Sequence, residues 1–218
     1  MAPDFSVMRA NMLEGQLRTQ DVSDRDILAA ASELPRELFV PERRRMLAYS
    51  DGDIEVAEGR FLMEVAPFAK MLQLAEIRAS DHVLEVGAAT GYNAAVLSRL
   101  ARSVVALESD PALAAQAGAT LASLGIGNVE VVTGPLPQGW PAAALYDVIV
   151  VSGAVDFVPG ALLDQLGEGG RLVAVEGRGL AGEVRVHLKL GNAVGARRGF
   201  NAAVKPLPGF EREPAFEF

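Results

Sequence analysis

The sequence contains no cysteine, and it has only two histidines and one tryptophan. Without cysteine, disulfide bonds, thiolate zinc sites and a cysteine nucleophile are all excluded. The histidines, His82 and His187, lie far apart in the chain and in no spacing typical of metal ligands. We therefore interpret each as a surface or strand-edge side chain, and we predict no metal site.

Long apolar runs are also missing, although 50% of the residues are hydrophobic. No run approaches the roughly 18 apolar residues that a membrane-spanning helix needs, and the longest apolar stretch, 142–155, is interrupted by Asp147. Residues 1–6 lack the basic start and apolar core of a secretory signal. We therefore expect no membrane partner and a cytoplasmic protein.

Positive charge is scarce, with 20 Lys and Arg against 28 Asp and Glu, which gives a net charge of −8. Such a chain repels a phosphate backbone at long range, so nucleic acid is not expected as a principal partner. The one basic run, Arg43 to Arg45, is interpreted as a solvated helix face.

The first 79 of the 218 residues have a helical character. The stretch 23–33 has Ser23 as a candidate N-cap and an apolar stripe, and it ends before Pro35. A second helix is predicted over 64–77, after a polar loop at 50–59. Residues 1–79 are therefore predicted to form an N-terminal helical extension, in one compact unit with the rest of the chain.

From residue 80 onward, short β-branched runs alternate with helical stretches. The predicted strands are 82–86, 104–107, 129–132, 146–151, 171–175, 184–190 and 199–204, and the predicted helices are 92–101, 111–124 and 159–166. This alternation is typical of βαβ units in a mainly parallel sheet with helices on both faces. The sequence therefore predicts a Rossmann-like α/β domain over 80–218, which would bind ligands at the carboxyl ends of its strands.

A tight turn of small residues joins the first of these strands to its helix. Gly87 stands where the backbone must bend, and Ala88 and Ala89 allow a ligand to approach the main chain. Loop amides at a helix N-terminus also attract an anion. Because Tyr92 stands where the nicotinamide fingerprint has its last glycine, only the E-x-G-x-x-x-G pattern from Glu85 to Gly91 remains, the methyltransferase version of this loop. An ordinary glycine-containing turn is the alternative.

An acidic residue closes the next strand. Glu108 lies 17 residues after Gly91, and a carboxylate at this place can accept hydrogen bonds from both ribose hydroxyls of a bound nucleoside. We favour this role over that of a solvated loop acid.

Taken together, several segments resemble the protein-L-isoaspartate O-methyltransferases. The matching segments are 16–22, Pro35-Arg36-Glu37-Leu38-Phe39-Val40-Pro41, 83–97 with Gly91-Tyr92, 128–129, Gly134 with Gly139-Trp140, 146–150 and 158–173. The resemblance covers most of the chain and is specific, because the Pro-Arg-Glu-x-Phe-Val-Pro motif occurs together with the cofactor loop.

The resemblance implies a seven-stranded class I methyltransferase sheet, S-adenosylmethionine as cofactor, and methyl esterification of isoaspartyl carboxyl groups in damaged proteins. Residues 1–79 would then lie on the substrate side. It assigns the loop 133–136 to the adenine and the loop 152–154 to the reacting end of the cofactor, whereas Trp140 is interpreted as core or lid packing. The cofactor-binding candidates are Glu85, Gly87, Ala88, Ala89, Gly91, Glu108, Ser109, Gly134, Pro135, Leu136 and Ser152.

Two positions depart from the family pattern. Pro135 and Leu136 replace an acidic residue and glycine, so the base would be held by apolar contact and backbone groups. After Gly59, the family has Ser or Thr followed by Gln-Pro, whereas this chain has Met63 at the hydroxyl position and Glu64 beside it. A thioether donates no hydrogen bond, and an inward Glu64 would oppose a substrate carboxylate by about 1 to 4 kcal/mol at ~4 Å.

Methyl transfer to a carboxylate needs no general base, because the acceptor is already ionised at neutral pH. Positioning of donor and acceptor can supply the catalysis. Arg60, Met63 and Glu64 are the candidates for the acceptor pocket, and Arg60 is equally well interpreted as solvated. Two alternatives remain open: a methyltransferase with a changed acceptor, such as a small-molecule carboxylate or another protein group, and a non-catalytic cofactor-binding protein. The oligomeric state, monomer or dimer, is also open.

Overall fold

The computed structural model describes residues 3–212, and its first third is built from short helices. Asp4 caps the first helix by accepting from the amides of Ser6 and Val7, and Asp24, rather than the predicted Ser23, caps the second. The helices and turns of this part are α1 (Phe5–Met12), a π turn (Leu13–Leu17), a 3-10 turn (Arg18–Gln20), α2 (Arg25–Glu33), and 3-10 turns at Arg36–Phe39 and Glu42–Leu47. The sequence did not indicate α1.

A small hairpin follows where a polar loop was predicted. Strands β1 (Ile54–Ala57) and β2 (Arg60–Leu62) pair antiparallel, and Gly59 takes a φ of 65° in the turn between them. Helix α3 (Val65–Ala75) begins three residues after β2, inside the predicted range. The predicted loop at 50–59 is therefore wrong over residues 54–57.

The rest of the chain forms a seven-stranded sheet in the order β5-β4-β3-β6-β7-β8-β9. The first five strands in this order are parallel, and β8 and β9 are antiparallel. This confirms the predicted α/β fold. The elements are β3 (His82–Val86), α4 (Tyr92–Leu100), β4 (Ser103–Glu108), α5 (Pro111–Ser123), β5 (Val129–Thr133), β6 (Tyr146–Val155), α6 (Gly160–Asp164), β7 (Leu166–Glu176), β8 (Glu183–Leu190) and β9 (Ala193–Asn201).

Several boundaries differ from the sequence prediction. The last strand covers Ala193–Asn201 instead of 199–204, β6 continues to Val155, and α6 is only five residues long because β7 already begins at Leu166. Strand β9 was missed in part because it is an exposed edge strand, so it lacks the apolar alternation on which strand prediction rests.

Side chains alternate between two apolar clusters on the two faces of the sheet. Val83 belongs to the cluster that α3, α4 and α5 cover, and Leu84 to the opposite one. The second cluster is covered in part by α6 and by Leu207 and Phe210, from the segment after β9. His82 contacts Ser103 and Ala143, and His187 contacts Glu176, both as structural side chains. Within residues 3–212 no helix is long and apolar enough to cross a bilayer.

A buried arginine fastens the N-terminal part to the sheet domain. Arg36 is 1% exposed; its Nε donates to the carbonyl of Ala48 at 2.8 Å and its Nη2 to the carbonyl of Met63 at 2.7 Å. Its guanidinium carbon lies 4.5 Å from the ring centroid of Tyr92, at the start of α4. The arginine of the Pro-Arg-Glu motif therefore fixes the backbone at Met63 relative to the loop after β3.

We expect Arg36→Met to lower the free energy of unfolding by about 2 to 6 kcal/mol, because two buried carbonyls lose their donor at about 1 to 3 kcal/mol each. Urea denaturation measures this loss. Arg43→Met is the matched control, since Arg43 is exposed and should change stability by less than about 0.5 kcal/mol. Equal losses in the two variants would contradict the anchoring role.

Candidate functional site

The loop after β3 has the backbone conformation that its glycines predict. Gly87 and Gly91 take φ values of 89° and 92°, and Ala89 also lies in the left-handed region at 49°. A Cβ added to Gly91 would come within 3.0 Å of the Cβ of Ala117. Both glycines are therefore required by backbone conformation, and Gly91 also by the close approach of α5.

The amides of this loop are engaged inside the protein. Those of Gly87 and Ala88 donate to the carbonyl of Leu107 at 2.9 and 3.0 Å, and that of Gly91 donates to the carbonyl of Ala88 at 2.8 Å. The amide of Ala89 donates to Oε2 of Glu108 at 2.7 Å. These four amides are therefore engaged within the protein, and that of Ala89 binds an anion of the chain itself, the carboxylate of Glu108.

Glu108 ends β4 beside this loop, with no exposed surface. Its Oε1 accepts from the amides of Ser109 and Asp110 at 2.8 and 3.0 Å, and its Oε2 accepts from the amide of Ala89 and from Arg60. Each oxygen therefore has at least two donors. The carboxylate lies where the sequence places it, at the end of the second strand, but its partners here are protein groups.

Arg60 reaches Glu108 from strand β2 of the hairpin. Its Nη2 forms a buried ion pair with Glu108, and the residue is 5% exposed. Its interpretation as a solvated arginine is therefore wrong. The Nε atom of Arg60 is also buried, and within residues 3–212 it has no hydrogen-bond partner.

Ser152 on β6 connects a second buried acid to α4. Its hydroxyl donates to Oε1 of Glu85 at 2.8 Å and accepts from Nδ2 of Asn93 at 3.1 Å. In the described part of the chain, Oε2 of Glu85 and Oδ1 of Asn93 are buried without a partner. The pKa of Glu85 is raised to about 8, chiefly by burial; the Ser152 hydrogen bond opposes this shift, and the nearby carboxylate of Glu108 contributes to it.

The loop assigned to the adenine lies over the apolar face of β4. Leu136 is buried in the same cluster as Leu107, whereas Pro135 is exposed. Trp140 is partly buried against that cluster, and a Cβ added to Gly134 would come within 3.3 Å of its ring. Trp140 thus packs against the loop.

Met63 and Glu64 lie between β2 and α3, on the opposite side of the site. Met63 is 2% exposed and lines a cavity of about 10 Å³ with Asp53, Phe61, Ser152, Gly153, Val204 and Lys205, which is the volume of about one water molecule. Glu64 is not among these lining residues. Burial raises the pKa of Glu64, and the neighbouring carboxylates of Asp53 and Asp51 add to the effect.

Sequence reasoning missed three contributors to this site. Asn93 contacts Ser152 from the first turn of α4, where a polar side chain beside the loop was a detectable signal. Asp53 accepts from the amides of Glu64 and Lys205 at 2.8 and 2.7 Å. Leu207 packs against Gly87 and Gly153. No local pattern marks the last two residues, because their partners lie far away in sequence.

Comparison with known proteins agrees with this geometry. The family model described as Protein-L-isoaspartate(D-aspartate) O-methyltransferase (PCMT) matches residues 8–192. The protein-L-isoaspartate O-methyltransferase of Methanoculleus marisnigri is 43% identical over 169 residues, which cover 78% of this chain and 77% of that one. Protein-L-isoaspartate O-methyltransferase 1 of Rhodopseudomonas palustris is 42% identical over 172 residues, with coverage of 79% and 70%.

Two solved structures have a similar fold. A chain named protein-L-isoaspartate O-methyltransferase matches with a TM-score of 0.79 at 28% identity, over 92% of this chain and 66% of that chain. A Plasmodium falciparum protein assigned to the same enzyme class matches with a TM-score of 0.77 over 94% and 99% of the two chains. It was solved in complex with S-adenosyl-L-homocysteine; at 16% identity, this likeness concerns the fold alone.

We expect Glu85→Gln to flatten the pH dependence of stability. Because the folded pKa of Glu85 is raised to about 8, the folded state holds a proton that the unfolded chain has released once the pH exceeds about 4.3. The stability that the protonated Glu85 carboxyl group contributes is therefore fully present below that pH. As the pH rises toward 8, the free energy of unfolding falls by up to about 1.4 kcal/mol per pH unit.

Urea denaturation between pH 5 and pH 8 measures this effect as a variant-minus-wild-type difference that grows with pH. Glu130→Gln serves as the control, because Glu130 is an exposed residue of the same sheet. A parallel pH profile for wild type and Glu85→Gln would show that this carboxyl group does not titrate in the range.

Proposed function

The chain belongs to the protein-L-isoaspartate O-methyltransferase family, and we propose that it methylates the carboxyl group of isoaspartyl residues in damaged proteins, with S-adenosylmethionine as the methyl donor. The observation that carries this proposal is the 43% identity over 78% of the chain. The glycine loop after β3 and the buried Glu108 at the end of β4 support it independently, since this is the edge where such sheets bind nucleotides.

The residues around the loop are of the right types for this cofactor. Two buried oxygens that have no partner within residues 3–212, Oδ1 of Asn93 and Oε2 of Glu85 in its ionised form, fit the ammonium group of its methionine part. Glu108, with Ser109 beside it, fits the ribose hydroxyls. The remaining proposed contacts are Gly87, Ala88, Ala89, Gly91, Gly134, Pro135, Leu136 and Ser152. The fit requires that Arg60 and Leu207 first leave the contacts that they make here.

When bound, S-adenosylmethionine supplies an electrophilic methyl group on a sulfonium. The acceptor is ionised at neutral pH, so the chain needs to align and desolvate the two reactants rather than move a proton. Arg36 contributes by holding the backbone at Met63, through its hydrogen bond to that carbonyl. Met63, Phe61 and Val204 contribute apolar surface on the acceptor side.

The positions of Met63 and of the glycine loop support separate roles for the two parts of the chain. Residues 1–79 would bind the acceptor and residues 80–218 the cofactor, in one compact unit. The partner would be a protein or peptide with isoaspartyl residues, and the cytoplasmic location remains a prediction from the sequence.

A changed acceptor is the second candidate function, and one observation favours it. Met63 is buried in a cavity of about 10 Å³ beside Ser152, where the family pattern has a hydroxyl that donates to the acceptor carboxylate. The side chain that replaces it is an apolar thioether, so a smaller or less polar carboxylate would be accepted more readily than a peptide.

We expect the protein to transfer labelled methyl groups to an isoaspartyl peptide and not to the same peptide with normal aspartate, because selection acts on the position of the carboxylate. Filter counting with a panel of small carboxylic acids in parallel measures this. Transfer to a small acid alone would establish the changed acceptor. Tight cofactor binding without transfer to any of these acceptors would contradict the isoaspartyl assignment and favour an acceptor outside the panel or a non-catalytic cofactor-binding protein.

We expect Met63→Ser to raise kcat/KM on the isoaspartyl peptide about 10- to 150-fold, the range for one regained hydrogen bond to a charged group. Cofactor affinity should stay nearly unchanged. Met63→Ala is the matched control, because it opens the same space without adding a donor. Fast wild-type turnover that Met63→Ser lowers would show instead that the pocket is built around the thioether.

A further inference from the structure

From the contacts of the chain's own C-terminal segment, we infer that residues 205–210, together with Arg60, compete with the cofactor for one cleft, so that the cofactor binds only after they leave. We call these six residues the C-terminal segment. The inference rests on the proposed function, because it places S-adenosylmethionine at this cleft. The segment also lies beyond residues 8–192, the part that the family model matches.

The segment is held to the sheet by backbone hydrogen bonds. The amide of Ala154, in β6, donates to the carbonyl of Lys205 at 3.0 Å, and the amide of Leu207 donates to the carbonyl of Ala154 at 2.8 Å. Pro206 thereby forms an isolated parallel bridge with Ala154. The segment is thus seated as a short added strand beside residues 152–154, which were predicted as the loop at the reacting end of the cofactor and are part of β6 in the structure.

Leu207 fills the cradle that the two glycines provide. A Cβ added to Gly87 would lie 2.7 Å from Cδ2 of Leu207, and one added to Gly153 would lie 2.6 Å from its Cγ. Leu207 is 4% exposed and Phe210 is 1% exposed, and both belong to the apolar cluster of Leu107 and Leu136. The space that these small residues would leave for a ligand is occupied here by the side chain of Leu207.

Arg60 closes the other end of the same cleft. Its ion pair with Glu108 takes the carboxylate that would bind the ribose hydroxyls, and the amides of Ala89, Ser109 and Asp110 take the remaining acceptor positions. In the described chain, however, the buried Nε of Arg60 is left without a partner. Such a group is costly to bury, so the pair is suited to exchanging partners.

Asp53 links the C-terminal segment to the backbone beside Met63, on the acceptor side of the site. One of its oxygens accepts from the amide of Glu64, next to Met63, and the other from the amide of Lys205 at the start of the segment. The ammonium group of Lys205 also lies 5.7 Å from the ring centroid of Phe61. Displacing the segment therefore opens the wall of the Met63 cavity as well.

In such a competition, cofactor binds only to the molecules in which the segment has left the cleft. The apparent Kd is then the intrinsic Kd divided by the fraction of those molecules. Weakening the segment should therefore tighten cofactor binding. Leu207→Ala should lower the calorimetric Kd for S-adenosylhomocysteine about tenfold or more relative to wild type. Leu162→Ala is the matched control, because Leu162 is a buried leucine of the same cluster on α6, and it should not tighten binding.

Hydrogen exchange of the wild-type protein gives a readout that does not depend on a variant. S-adenosylhomocysteine should speed exchange at the amides of Ala154 and Leu207, which bond to each other's strands here, whereas a ligand that merely covers this region would slow it. The amide of Val173, inside β7, should not change.

The outcomes separate the two claims. Equal affinity in wild type and Leu207→Ala, or a Leu207 amide that stays protected when S-adenosylhomocysteine binds, overturns the competition and leaves the proposed function intact. Absence of binding in wild type and in both variants overturns the cofactor assignment, and the competition with it. If Leu207→Ala fails to fold, hydrogen exchange of the wild type decides.

Discussion

A carboxylate with no exposed surface must find a donor for each of its lone pairs, and Glu108 meets this demand by drawing three elements together. The turn into α5 supplies the amides of Ser109 and Asp110, and the loop after β3 supplies that of Ala89. The hairpin supplies Arg60. Because a buried charge without partners costs several kcal/mol, the loop conformation and the position of the hairpin depend on this one group.

Polar side chains of the N-terminal part hold the backbone around Met63 in place beside the Glu108 site. Arg36 holds the carbonyl of Met63, and Asp53 holds the next amide, that of Glu64. The backbone on which the family carries its substrate hydroxyl is therefore fixed on both sides, although the side chain there is now a thioether. The backbone geometry of such a site depends on main-chain hydrogen bonds, whereas its acceptor chemistry depends on one side chain. The side chain can therefore change while the backbone geometry is kept.

The sheet and the loop were predictable because their signals are local. Strands β3, β4 and β6 are buried on both faces and have mainly apolar, valine-rich sequences. The spacing of Gly87, Gly91 and Glu108 follows from one βαβ unit. The partners of Glu108 were not predictable in the same way. Arg60 lies 48 residues before it, and burial of an arginine depends on a pairing that no sequence window shows. The packing of Leu207 against Gly87 and Gly153 is equally distant in sequence, so only the structure reveals it.

The order in which the chain is synthesised adds a consequence to the position of the C-terminal segment. A chain is synthesised from its N-terminus, so N-terminal parts leave the ribosome first. The cleft is bounded by β3, β4 and β6, all of which precede residue 156, whereas the C-terminal segment, which fills it together with Arg60, begins after residue 204. During synthesis the glycine loop and Glu108 therefore emerge before Leu207. A nascent chain can thus contact its small-molecule ligand before the C-terminal segment is available to occupy the cleft.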